Sequence, residues 1–180
     1  MRIREAIAAE RAEGEERVGI GRWVLISVLL ILCWALPAPA LDYPPPLSYS
    51  NADLRGSRFV GQTLRTAEFS NANLEDADFR QADLRGAVLS ASVLTGTNLR
   101  GANLSNALMD QVKFDRTDLS DAILNEVILL HSTFAQINIT GADFTDAILD
   151  RAQTKILCAI ATGTNPVTGV KTRDSLGCPD

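Results

Sequence analysis

Histidine is nearly absent from this chain: His131 is the only one in 180 residues. Cysteine occurs three times, and methionine, tryptophan and tyrosine twice each. With one histidine there are no paired imidazoles, and no Cys–His pair is present to build a nucleophile and its base. No Gly-x-Ser-x-Gly elbow and no phosphate loop occur. Nor does any Cys or nearby His complete a zinc ligand set. These absences predict a chain that is not an enzyme and that takes no metal and no cofactor. Carboxylates such as Asp78 and Asp83 are plentiful, but they recur at a fixed spacing and read as a solvated face rather than a perturbed catalytic pair. An excess of positive charge is missing too. The net charge is −5, which sets nucleic acid aside as a partner, since phosphate binding needs a basic patch. The charge is mixed, with Arg65, Arg80, Arg85 and Arg100 among Asp76, Asp78, Asp83 and Asp118.

Long apolar runs are also lacking, with one exception. Residues 23 to 36 form an uncharged stretch, preceded by Arg17 and Arg22 and followed by Pro37-Ala38-Pro39-Ala40. The stretch is short for a membrane span, which needs roughly 18 or more apolar residues. Ala38-Pro39-Ala40 has the form of a signal peptidase site. Residues 1–40 therefore read as a cleaved export signal, with Leu41 as the first mature residue. The alternative is an uncleaved signal-anchor, so any membrane contact is expected through this segment alone. Cys33 lies inside the run without the small neighbour that lipidation requires. Export leaves Cys158 and Cys178, which in an oxidising compartment suggest a disulfide. Closing a loop of about 20 residues would contribute roughly 3 kcal/mol. The other reading of this pair is a redox-switched thiol couple, which a reduction potential below about −300 mV would remove.

What the chain does have is a period of five. From Leu54 to Leu149 every fifth residue is large and apolar, and two residues before each sits a small or β-branched residue, most often Ala. Five matches neither the helical period of 3.6 nor the strand period of 2. It marks a short-repeat solenoid. Residues 52–151 divide into twenty units of the form A-(D/N)-L-x-x, such as Ala72-Asn73-Leu74-Glu75-Asp76 and Ala102-Asn103-Leu104-Ser105-Asn106.

These units closely resemble the pentapeptide-repeat family. The resemblance implies an all-β solenoid: a right-handed, four-sided β-helix with four pentapeptides per coil and the Leu/Phe and Ala columns turned inward. Twenty units then give five coils, a rod roughly 24 Å long at the usual strand spacing. Leu54, Leu74, Leu94, Phe114 and Phe134 stack on one wall; Phe59, Phe79, Leu99, Leu119 and Ile139 stack on another. Residues 41–51, with Pro44-Pro45-Pro46, read as an extended N-terminal cap that cannot donate a full hydrogen-bond ladder. Residues 152–180 read as a helical C-terminal cap. A helix is expected over Asp150 to Ala161, with Ile156, Leu157 and Ile160 folded onto the rod end and Gly163 as its stop. A turn follows at Asn165–Gly169, and a second short helix starts near Asp174. The tail from Thr162 to Cys178 is similar to the tails of lumenal pentapeptide-repeat proteins of cyanobacteria and chloroplasts. That similarity implies the thylakoid lumen, or otherwise the periplasm.

The position before each central residue is usually polar, but six times it is apolar: Val88, Val93, Leu108, Ile123, Ile128 and Ile148. At twenty residues per coil, Val88, Leu108, Ile128 and Ile148 fall on one face, joined by Leu130. This stripe is the candidate interaction surface. The competing readings are strand stabilisation by β-branched residues and coverage by the C-terminal tail. An exported, non-catalytic binding or scaffold module acting on an unidentified protein follows as the leading function. Two alternatives stand beside it: a DNA-mimic inhibitor of gyrase, which the family fold permits, and a redox-responsive lumenal protein.

Overall fold

A computed structural model describes residues 46–179. The expected signal segment, its Cys33 and the start of the extended cap lie outside these residues. Parallel bridges link residues twenty apart throughout: Asp53 to Asn73, Asn73 to Val93, Arg58 to Asp78, Thr63 to Asp83. Twenty residues per coil and five per unit give four sides. At two levels the bridges widen into short parallel strands, β1 (Lys113–Asp115) and β2 (Thr133–Ala135), in register Phe114 on Phe134.

The local chemistry explains each position of the unit. The residue two after the centre has positive φ at all twenty corners from Asn51 to Asp146, between 51° and 70°. Glycine adopts this conformation freely and Asn and Asp tolerate it, which accounts for the small and polar corners. At Gly96 the requirement is also steric, since a Cβ would fall 2.1 Å from Asp76 Oδ1. Most corners are closed by an N–H donating back to the central residue's carbonyl, as Ala77 does to Leu74 at 3.0 Å; at Val112 the N–H donates instead to Ser132 Oγ. The Asp or Asn before the centre explains itself in the same way. Its Oδ1 accepts from the N–H two residues on, as in Asn73 to Glu75, Asp78 to Arg80, Asn103 to Ser105 and Asp143 to Thr145. This is an Asx turn, a side-chain hold on the corner.

The core is the stacked interior. Leu74, Leu84, Leu94, Leu99 and Leu104 have no exposed surface, and the inner Ala column is equally buried. Aromatic rings fill the N-terminal end: Phe59 stacks on Phe79 at 4.6 Å, and Phe69 meets both edge-on. Tyr49 belongs to this cluster, stacked on Phe69 at 5.0 Å, and Ser48 pairs with Glu68. The first coil thus begins one unit before Ala52, and the end of the segment expected to be an extended cap is already repeat. An aromatic ring at Tyr49 closes the core end, while Leu47, in the column where Ala is usual, remains exposed.

Helix α1 (Arg151–Ile160) crosses the C-terminal end, N-capped by Asp150. Leu157 is fully buried, but Ile156 and Ile160 are half exposed, so the expected three-residue face is corrected. The inward line is Gln153, Leu157 and Ala161, and the two isoleucines lie to its side. Beyond it, Thr164 bridges Lys171 across a turn, and α2 (Thr172–Ser175) follows. Gly163 acts by close approach: a Cβ there would meet Gly141 N at 2.8 Å. No helix among the described residues is long and apolar enough to cross a membrane.

Candidate functional site

The structure brings the predicted stripe together. Val88 bridges Leu108, Leu108 bridges Ile128 and Ile128 bridges Ile148, one ladder in register. Leu108 and Ile148 are 39% and 47% exposed, while Val88, Ile128 and Leu130 are half-buried. The tail does not cover them. Asn165 docks it onto the carbonyls of Asp121, Ala122 and Gly141, at a corner the stripe's face does not share.

The Asx-turn rule makes this face unusual. Its column before the centre reads Ser48, Glu68, Val88, Leu108, Ile128, Ile148, with no Asp or Asn. The next face round the coil carries Asp53 and Asn73 before Val93, Lys113 and Thr133, and the one after it carries Asp78, Asn98, Asp118 and Asn138. On the stripe the side-chain hold on each corner has been given up for exposed aliphatic surface. Val93 and Ile123 lie on other faces, where their ladder neighbours are polar: Asn73 and Lys113, and Asn103 and Asp143.

Elsewhere several surface charges are paired. Arg80 grips Asp78 with two nitrogens, at 2.9 and 2.7 Å, and Arg85 grips Asp83 likewise. Arg65 reaches Asp83 from the neighbouring coil at 2.7 Å. The hydrogen bond from Arg80 holds the Asp78 carboxyl below its ordinary range, and Arg55 does the same to Asp53. Such exposed pairs add little stability, but they cancel the acidic charge locally. His131 lies on an exposed corner with φ of 61°. Among the described residues, no group of three or more His, Cys, Asp or Glu is placed to hold a metal ion.

Cys158 in α1 is bonded to Cys178, with Cα atoms 5.6 Å apart. Reduction should therefore loosen the cap by about 3 kcal/mol, the loop-closure value for a 20-residue separation. Thermal unfolding with and without reductant checks this. An unchanged midpoint would show that Gln153, Asn165 and Leu157 hold the cap unaided.

Two polar plugs were not found from sequence. Gln153 is buried, donates to Leu129 O and Ser132 O at 2.8 Å each, and accepts from Asp150 N–H. Asn165 does the same at another corner and accepts from Val167 and Thr168 N–H. The Asp150-x-x-Gln153 capping box was visible as a pattern; the second use of its glutamine was not.

Residues 50–153 match the family described as pentapeptide repeats, in four overlapping stretches. The chain belongs to the pentapeptide-repeat family. Its fold is accordingly the right-handed quadrilateral β-helix. A solved pentapeptide-repeat protein from the Arabidopsis thaliana thylakoid lumen is 38% identical, with a TM-score of 0.72 over 73% of this chain and 92% of that one. Two further Arabidopsis thaliana relatives are thylakoid lumenal protein TL20.3, 65% identical over 40 residues, and thylakoid lumenal 15 kDa protein 1, 50% identical over 48. The aligned stretches cover 22% and 27% of this pentapeptide-repeat chain but only 14% and 21% of those two proteins.

Proposed function

We propose that this chain is a non-catalytic pentapeptide-repeat module of the thylakoid lumen, which binds a partner protein through the stripe of Val88, Leu108, Ile128, Leu130 and Ile148. The lumenal location draws on the named location of its relatives and on the export signal read in residues 1–40. The observation that carries the binding surface is the ladder itself. Four successive coils place an aliphatic residue where an Asx turn would steady the corner, and two of the four side chains stay well exposed. Strand propensity alone explains β-branched residues but not Leu108, nor the run of four in successive coils of one face. A DNA mimic needs a continuous acidic face, and here Arg55, Arg80 and Arg85 neutralise Asp53, Asp78 and Asp83.

The test is co-purification from the native compartment, comparing the intact protein with a Leu108→Arg, Ile128→Arg double variant. Arginine occupies the equivalent position at Arg58 without disturbing the coil, so the variant should keep its circular dichroism spectrum. The expected result is one protein recovered with the intact chain and lost with the variant. Equal recovery would clear the stripe of this role.

A further inference from the structure

A second concave surface lies where the stripe ends. Leu149, Cys158 and Pro179 line an open cleft of about 630 Å³ whose rim carries Arg151, Lys155 and Arg173. Its volume falls in the range of sites that hold compact ligands or side-chain clusters.

The charges on this rim are placed against local stability. Arg151 is the first residue of α1 and Lys155 lies one turn on; the helix has no acidic residue in its first turn and no basic residue in its last. Helix electrostatics favour the reverse, since the N-terminus is already positive. Most solenoid arginines are paired: Arg55, Arg65, Arg80, Arg85, Arg100 and Arg116 each have a carboxylate within 4.0 Å, whereas Arg58 and Lys113 in the solenoid, and all three rim cations, Arg151, Lys155 and Arg173, have none among the described residues. Arg173 is occupied structurally, donating to Cys158 O at 3.1 Å and Pro179 O at 2.7 Å, and so is fixed in place. Arg151 and Lys155 are left to face an incoming group. They stand above an apolar floor, beside a helix N-terminus that the Asp150 carboxylate already caps.

Continuity links this cleft to the stripe. Ile148 is the stripe's last residue, Leu149 lines the cleft and Arg151 is on its rim. We infer that the partner is a protein segment with aliphatic side chains along its length and carboxylates at one end, the aliphatic part lying on the stripe and the carboxylates entering the Arg151–Lys155 cleft. This rests on the stripe reading and adds the partner's chemistry and its direction along the rod. A carboxylate hydrogen-bonded to two cations is a strong, geometrically selective contact.

The experiment uses the mature chain and two fluorescein-labelled peptides with the same Val/Leu/Ile segment. One ends in two glutamates and a free carboxylate, the other in two glutamines and an amide. Affinity is read by fluorescence anisotropy. The acidic peptide should bind about tenfold or more tightly than the neutral one, the size of one charge-assisted contact. Arg151→Gln with Lys155→Gln should abolish that difference without lowering the unfolding midpoint. Leu108→Arg with Ile128→Arg should weaken both peptides. Equal binding of the two peptides by the unaltered chain overturns the acidic-end assignment while leaving the stripe standing. No binding of either overturns it too, and the stripe is then judged by co-purification. Loss of the difference in the stripe variant alone would overturn the cleft as its source.

Discussion

Phe79→Ala should cost the rod about 3–5 kcal/mol, the range for deleting a buried phenyl ring. The Phe79 side chain has no exposed surface. It stacks on Phe59 at 4.6 Å and meets Phe69 edge-on at 5.7 Å, so its removal opens a cavity between two coils and on two walls together. The backbone around it cannot collapse inward. Phe79 N–H is bonded to Asn98 O at 2.7 Å and Asp78 N–H to Ser57 O at 2.9 Å, and these ladders fix the walls. A solenoid is stabilised by contacts between neighbouring coils, so the damage should be directional. The coil before Phe79 depends on it for its only full interface and should lose amide protection first. Urea unfolding followed by circular dichroism gives the magnitude, and hydrogen exchange gives the order. A loss under about 1 kcal/mol would mean that the aromatic cluster repacks around the gap, contrary to a cavity cost of this size.

The same ladders show how much of the molecule can be read from its sequence. A period of five needs no partner information, because each unit repeats its own environment. Leu74, Leu94 and Leu104 are interchangeable, and so are the corners at Asn71, Asp76 and Gln81. The stripe was legible for this reason: arithmetic alone placed Val88, Leu108, Ile128 and Ile148 in one column. What arithmetic could not supply was the chemistry of departures from the unit. Ser92, Thr97, Thr117 and Ser132 replace Ala in the inner column and are buried. Their hydroxyls donate to the carbonyls of Leu89, Leu74, Leu94 and Met109, three or twenty-three residues away. Asn165 reaches carbonyls 24, 43 and 44 residues distant. Beyond Leu149 the helical period marked an apolar face, and it favoured Ile156 and Ile160 over Gln153. Hydropathy ranks glutamine outward; the carbonyl of Ser132, which receives no backbone N–H among the described residues, draws it in.

Gln153→Ala should detach this cap from the rod at a cost of about 3 kcal/mol, since it leaves the Ser132 carbonyl and the Asp150 N–H without their partner and removes one of the two donors to the Leu129 carbonyl, which keeps the Ser132 N–H. Half of the capping box goes with it. Gln153→Glu separates the two roles. A glutamate at this position of a capping box can still accept from Asp150 N–H, but it offers no N–H to the two carbonyls, and it brings a charge into a buried site. Burial beside acceptors raises the folded-state pKa of such a carboxyl above its unfolded value. The linkage then has a definite sign: the protonated acid can donate to one carbonyl, so the variant is most stable at low pH and loses stability as pH rises through the raised folded pKa. The unfolding midpoint of Gln153→Glu should therefore fall between about pH 4.5 and 7, while that of the Gln153 protein stays nearly flat over the same interval. A Glu variant as stable as the Gln protein at pH 7 would show that the Ser132 carbonyl is satisfied by water, and that the glutamine serves only in the N-terminal cap of α1.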